Sequence, residues 1–430
     1  MTPAARLSAA IEILGDIAKG KMADRVSAAW AKANRYAGSK DRAAIQARVF
    51  DVLRNRALYS FAADSTTPRS LVQASLTIED GLSPDELHHL FDGAKFAPVP
   101  LTVTETEALA GLPARLESAP AHVRMNVPEW LLPELQSAFG ERLEGELAAL
   151  NTRAPVDLRV NALKATRGDV QERLATENIE TDPCDGSPWG LRSKSNARVT
   201  HTKTFNEGLV EIQDLGSQLT CMIAGVQPGE RVVDLCAGAG GKALALSAML
   251  SGEGSVIACD TDPRRLGRLK PRAYRASAGT IETRRLHPFD PNAADPDLED
   301  LEGLVDCVFV DAPCSGTGAW RRQPEARWQI TPEKLEAYRA AQIEVLIRGA
   351  RLVRPGGRLI YVTCSILPSE NDAQIDAFLK EMTMFQERDW QSNWPEGETM
   401  PAALEGPRLR LTPHSTDTDG FFAVILERVE

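Results

Sequence analysis

No two cysteines of the 430-residue chain are spaced as CxxC, and only six histidines are present, so neither a zinc knuckle nor a disulfide framework is indicated. The seven cysteines are an odd, scattered set, expected to be reduced thiols, and no metal site is expected. No window of eighteen uninterrupted apolar residues occurs, and the opening "MTPAARLSAAIEILGDIAKGKMADR" has no basic head before an apolar core. A soluble, cytoplasmic protein without membrane association is expected, and nothing calls for more than a monomer. An excess of positive charge is also missing: 49 Lys and Arg stand against 60 Asp and Glu, a net charge of -11. Averaged over the chain, that argues against nucleic-acid binding, because phosphate affinity comes from Lys and Arg displacing counterions.

Averages conceal local runs. "DPRRLGRLKPRAYR", "TRRLH", "WRRQPEARW" and "GARLVRPGGRL" are basic, while acids gather in "DPNAADPDLEDLEG". Each run alone reads as a solvated helix face; their concentration in one part of the chain points to a polyanion partner.

Length, with 43% hydrophobic and 25% charged residues, allows two or three domains. Residues 1–125 read as an all-α bundle, with apolar residues at three and four spacing in "RLSAAIEILGDIA" and "DRAAIQARVFDVLRNRALYSFA". There Asp41 sits where a helix starts and Gly38 where the preceding helix ends. Residues 126–207 read as a small α/β piece around "VDLRVNALKATRGDVQERLATENIETDPC". From 208 to 430 short apolar runs alternate with helical stretches: "RVVDLCA", "GSVIACD", "TIETRRLH", "DCVFVDAP", "GRLIYVTCS" and "DGFFAVILERV". That alternation predicts an α/β domain with a Rossmann-like, doubly wound sheet, which binds ligands at the carboxyl ends of its strands.

The first of those strands ends in a glycine turn, Cys236, Ala237, Gly238, Ala239, Gly240, Gly241 and Lys242. A P-loop needs glycine where Cys236 stands and Ser or Thr where Ala243 stands, so a nucleoside triphosphate is disfavoured. The glycine spacing is also wrong for a dinucleotide fingerprint. Asp260 ends the second strand roughly 20 residues on, where such folds place an acid for ribose hydroxyls. Turn and acid together suit S-adenosylmethionine, with Arg265 beside it and its adenine near Asp290.

Asp311 and Cys314 leave the fourth strand in "FVDAPCSGTGAW", and Cys364 leaves the fifth. Two thiols and an acid beside a methyl donor fit methylation at C5 of a pyrimidine. Thiolate attack at C6 makes C5 nucleophilic, and loss of the C5 proton with expulsion of the thiol restores aromaticity. Such a thiol needs positive potential or a hydrogen bond, for which Arg321, Arg322 and Lys242 are candidates by sequence position. Asp311 would grip the base edge, which favours cytosine with its N4 donor.

At these residues the chain resembles the Sun-type (RsmB-like) family of RNA cytosine-5 methyltransferases. "VDLCAGAGGK", "VDAPCSGTGAWRRQPEARW" and "YVTCSILPSEND" match its motifs in order and spacing, joined by "DLRVN", "GLVEIQDLGSQL" and "DGFFAVIL". The resemblance implies that Cys364 is the nucleophile, that Cys314 assists product release, and that Asp311 contacts base and donor. It departs from the family's usual Ala-Pro-Gly-Gly-Lys turn at Gly238 and Ala239. The bundle resembles the NusB-type RNA-binding domain, which implies small-subunit (16S) ribosomal RNA as substrate, gripped by the bundle and the "LRVN" piece around an extruded cytosine. Transfer RNA as substrate, or a non-catalytic ribosome assembly factor on the same fold, are the alternatives.

Overall fold

Near-continuous apolar runs such as Val305–Val310 are what a strand covered on both faces requires, and they place the main sheet of the protein. A computed structural model describes residues 1–195, 198–395, 397–400 and 406–429. It divides into two compact units, Met1–Thr152 with Trp320–Ile330, and Arg153–Ala319 with Thr331–Glu430.

The first unit is helical throughout. Its helix Ser39–Arg54 buries Ile45, Val49, Val52 and Leu53, the three and four spacing seen in the sequence. Gly38 caps the start of this helix rather than ending the previous one, which stops at Ala33; the Gly38 amide donates to Asp41 Oδ2 at 3.2 Å. The unit therefore extends past residue 125, through the helices Leu132–Phe139 and Leu143–Asn151.

The basic run "WRRQPEARW" belongs to this unit and is largely interior, against the expectation of a polyanion-facing surface. Trp320, Arg321, Glu325 and Arg327 are all buried. Arg327 Nη1 donates to Asn126 O at 2.9 Å and to Asn151 Oδ1 at 2.6 Å, and its guanidinium lies 4.5 Å from the centre of the Trp320 ring. Burial pulls the Arg327 pKa down to about 9. Glu325 Oε1 accepts from the Ala23 amide at 2.9 Å. Composition alone cannot distinguish an arginine that packs on tryptophan from one that meets phosphate.

The second unit holds two sheets. The smaller is antiparallel, ordered β2-β3-β1-β4, from β1 (Asp157–Val160), β2 (Thr181–Pro183), β3 (Gly190–Ser193) and β4 (Val210–Ile212). The "LRVN" residues lie in its interior, not on an RNA-facing surface. Asn161 Nδ2 donates to Gly208 O at 2.9 Å and to Ala276 O at 2.8 Å, and Arg159 Nη1 donates to Gly241 O at 2.8 Å. The bonds to Gly241 and Ala276 tie the small sheet to two helices that connect strands of the large one.

The large sheet comprises β5 (Arg231–Asp234), β6 (Ser255–Asp260), β7 (Ile281–Arg285), β8 (Val305–Asp311), β9 (Val353–Thr363), β10 (Phe385–Arg388), β11 (Leu409–Leu411) and β12 (Phe421–Arg428). Its order is β10-β12-β9-β8-β5-β6-β7, with β11 paired to β12. Strands β5 to β9 run parallel, and β12 runs antiparallel to β9. The chain winds outward in opposite directions from β5 and β8, so the switch point lies between their carboxyl ends. Asp234 and Asp311 end those two strands, which places the glycine turn and the "DAPC" loop at one crevice.

Candidate active site

The glycine turn is shaped by the helix that follows β6. Gly238 has φ +57° and Gly240 φ +85°. A β-carbon on Gly240 would lie 2.1 Å from Leu269 Cδ1, and one on Gly238 would lie 2.6 Å from Arg265 Nη2. Leu269 and Arg265 both belong to the helix Pro263–Ala276; left-handed backbone disfavours a side chain at both glycines, and at Gly240 the buried Leu269 adds a steric bar, whereas the Arg265 tip at Gly238 can move aside. Ala239, where the resemblance leads one to expect proline, presents its carbonyl to Arg272 Nη1 at 2.6 Å. Gly241 opens the helix Gly241–Met249, and Lys242 follows in its first turn.

Asp260 braces the same turn. Its Oδ2 accepts from the Gly238 amide at 2.8 Å and its Oδ1 from the Asp262 amide at 2.8 Å, while Arg265 stands 3.5 Å away. Each oxygen retains a lone pair for a hydroxyl group. Asp290 lies in a loop beyond β7, exposed, with its Oδ1 accepting from the Asn292 amide at 2.9 Å in a local turn.

Sequence reasoning overlooked Asp234. It is fully buried, and its carboxylate makes no side-chain hydrogen bond among the described residues. Burial, then the neighbouring charge of Asp311, push its pKa up to about 7 against the pull of Lys242 and the Cys236 amide. A strand-end acid inside an apolar run has no local signal apart from its position before the turn. Cys236 is partly exposed, and burial followed by Asp234 drives its thiol well above the ordinary range, so it stays protonated. A cradle that side chains would fill, an under-satisfied acid and Asp260 at the next strand end together fit the amino-acid and ribose parts of S-adenosylmethionine.

The second half of the site is the pair of thiols. Cys314 Sγ and Cys364 Sγ are 3.4 Å apart, close enough to hydrogen-bond and too far to be bonded. The hydrogen bond with Cys364, and then burial, hold the Cys314 thiol well above its ordinary pKa. Gly318 and Gly420 let two backbones meet behind the pair. The Gly318 amide donates to Cys364 O at 2.9 Å, the Gly420 amide donates to Gly318 O at 2.8 Å, and a β-carbon on Gly318 would lie 2.1 Å from Gly420 O.

Lys242, one of the cations named from sequence, stands at the site. Its Nζ is 2.7 Å from Asp311 Oδ2 and 5.5 Å from the centre of the Phe421 ring. Burial opposes its charge, but Asp311, Cys221 and Cys364 more than offset that and raise its pKa. Arg321 and Arg322 belong to the helical unit. A further acid missed in the sequence, Glu370, is fully buried and hydrogen-bonded to Ser315 and Ser365, the residues that follow the two cysteines.

The model of the family described as 16S rRNA methyltransferase RsmB/F matches residues 221–427, and that of the RsmF/B-like ferredoxin-like domain matches residues 127–200. The ribosomal RNA small subunit methyltransferase B of Enterobacter sp. (strain 638) is 32% identical over 306 residues, 71% of this chain and 67% of that protein. Against relatives in Synechocystis sp. and Bacillus subtilis the match spans 66% and 65% of their length, just under two thirds. Among solved structures, the crystal structure of PH0851 aligns over 100% of this chain and 99% of its own with a TM-score of 0.77 at 25% identity. A methyltransferase homologue from Pyrococcus horikoshii, 24% identical, aligns over 71% of this chain and 97% of its own with a TM-score of 0.60, a likeness of fold. The chain belongs to the 16S rRNA methyltransferase RsmB/F family.

Proposed function

We propose that the protein methylates C5 of a cytosine in small-subunit ribosomal RNA, using S-adenosylmethionine and a transient bond between Cys364 and C6 of the base. The observation that carries this reading is the pair of thiols 3.4 Å apart at the ends of adjacent parallel strands, with the Lys242–Asp311 ion pair flanking the same crevice.

Bound donor supplies an electrophilic methyl group; the remaining chemistry falls to side chains of this chain. Cys364 is the nucleophile. Its sulfur bonds to C6 as the C5–C6 π electrons move to C5, which then takes the methyl group. A base removes the C5 proton, those electrons re-form the double bond, and the C6–S bond breaks to return Cys364 as a thiolate. Cys314 keeps its proton, so it can donate a hydrogen bond to the Cys364 sulfur and assist this release. Lys242 supplies positive potential to the thiolate and fixes Asp311 through Oδ2. The other oxygen of Asp311 is left to accept from the cytosine N4 amino group.

Asp260 holds the donor's ribose and the turn from Cys236 to Lys242 its amino-acid part, with Arg265 covering the turn from outside. The helical bundle of residues 1–125 and the small α/β piece of residues 126–207 are assigned to RNA binding. A cytosine in a hairpin loop of unassembled RNA is the favoured target, because extrusion costs least there. Bisulfite sequencing of ribosomal and transfer RNA from cells with and without the gene tests the substrate. One small-subunit cytosine should lose protection; loss confined to transfer RNA would keep the chemistry and overturn the substrate, and no loss in either pool would contradict the reading.

A further inference from the structure

Glu370 is a buried carboxylate that no cation pairs with among the described residues, and four donors from three segments converge on it. Oε1 accepts from the Ser315 amide at 2.8 Å and from Gln342 Nε2 at 3.0 Å. Oε2 accepts from both the Ser315 and the Ser365 hydroxyl groups. Gln342 Nε2 also donates to Pro313 O at 2.9 Å, so the same cluster holds the residue before Cys314. Carbonyl and side chain of the neighbourhood are fixed in turn. Tyr361 Oη donates to Glu370 O at 2.7 Å, and Asn371 Nδ2 donates to Ser365 O at 2.9 Å.

A buried carboxylate without a cation is costly to stability, and neutral residues of like volume would fill the space at less cost. What a carboxylate offers is geometry: one oxygen can accept two hydroxyl groups at once. Those hydroxyls belong to the residues directly after Cys314 and Cys364, on loops that leave different strands. Ser315 Oγ and Ser365 Oγ stand 3.3 Å apart as a result, in parallel with the 3.4 Å between the two sulfurs.

We propose that Glu370 is the positioning residue of the thiol pair: by drawing Ser315 and Ser365 to one oxygen it sets the separation of Cys314 and Cys364. It touches neither the base nor the donor. The inference deepens the proposed cytosine chemistry and rests on it for its activity readout alone.

The test measures spacing and turnover separately, with Glu370→Gln as the variant. Glutamine keeps the shape but replaces one oxygen by an amino group, so whichever way the amide faces, two of the four donors that converge on Glu370 meet a donor instead of an acceptor. Spacing is read with dibromobimane on full-length protein, since the reagent fluoresces once it has bridged two nearby thiols; Cys314→Ser and Cys364→Ser give the background. Bridging in Glu370→Gln should fall several-fold, and kcat should fall by about 10²-fold with the KM for RNA and the donor affinity held, as expected for misplacement of reacting atoms by about 1 Å. Glu370→Asp, with the charge kept and one methylene lost, should recover part of both. If Glu370→Gln does not fold, Ser315→Ala with Ser365→Ala asks the same question and should lose bridging likewise. Bridging at the wild-type rate in the folded variant would overturn the proposal, whatever the activity. Lost bridging in a protein whose wild type methylates no RNA would support the positioning role and overturn the proposed reaction instead.

Discussion

Lys242 Nζ lies 2.7 Å from Asp311 Oδ2, so the last residue of the glycine turn and the last residue of β8 form one ion pair across the switch point of the sheet. Lys242 is also the one turn residue whose charge is felt by Cys364. Replacing it tests both roles. Lys242→Met should destabilise the protein by about 2 kcal/mol, less than for a fully buried pair because Asp311 is partly exposed. Alkylation of Cys364 by iodoacetamide at neutral pH, followed by mass spectrometry, should slow once the neighbouring cation is gone. An unchanged rate would remove Lys242 from the activation of the nucleophile.

Two neighbouring glycines should respond in opposite ways. Gly240→Ala forces a side chain onto left-handed backbone, at about 1–2 kcal/mol, and drives its β-carbon into Leu269. Gly241 has ordinary backbone and open space at the β-carbon position, so Gly241→Ala should fold as stably as the wild type. Urea unfolding separates the two. Calorimetry with S-adenosylmethionine then asks whether Gly241→Ala, stable as it is, loses affinity by filling the donor's place.

Asp234 gives a pH dependence of known sign. Its ordinary value is 3.8 and its folded value about 7, so the folded state binds this proton more tightly than the unfolded state. Below pH 3.8 both states are protonated and the group costs nothing. Between 3.8 and about 7 the unfolded chain is ionised while the fold retains the proton, so stability falls as pH rises; above about 7 the full penalty is in place. Its ceiling is on the order of 4 kcal/mol. Asp234→Asn removes the ionisation, so the variant should gain stability over the wild type progressively from pH 4 to 7 in ligand-free unfolding measurements. A constant difference across that range would mean that Asp234 is ionised throughout.

The placing of the site residues at strand ends was legible because it is carried by local patterns. The glycine turn, Asp260, Asp311, Cys314 and Cys364 each stand at the end of an apolar run, and period and run length reveal those ends. Partnership was not legible. Glu370 in "YVTCSILPSEND" reads as a loop acid until Ser315, some 50 positions earlier, is seen to share it. Arg327 reads as surface charge until Asn126 and Asn151 are seen beside it. The "LRVN" piece reads as part of an RNA grip, but within it Arg159 Nη1 donates to the Gly241 carbonyl and Asn161 Nδ2 to the carbonyls of Gly208 and Ala276. Of the basic runs, the helix Pro263–Ala276 alone keeps a row of exposed cations, Arg264, Arg268 and Lys270, without ion pairs among the described residues. Long-range pairing decides whether a charge faces water, and composition does not record it.

The central claim is that Cys364 bonds to the base and Cys314 lets it go. The direct measurement is a denaturing gel of Cys314→Ala after incubation with unmethylated small-subunit ribosomal RNA and S-adenosylmethionine. A protein band shifted by covalently attached RNA should accumulate with Cys314→Ala and vanish when Cys364→Ala is added to it. A shifted band that survives the loss of Cys364, or full methylation by Cys364→Ala alone, would contradict the account.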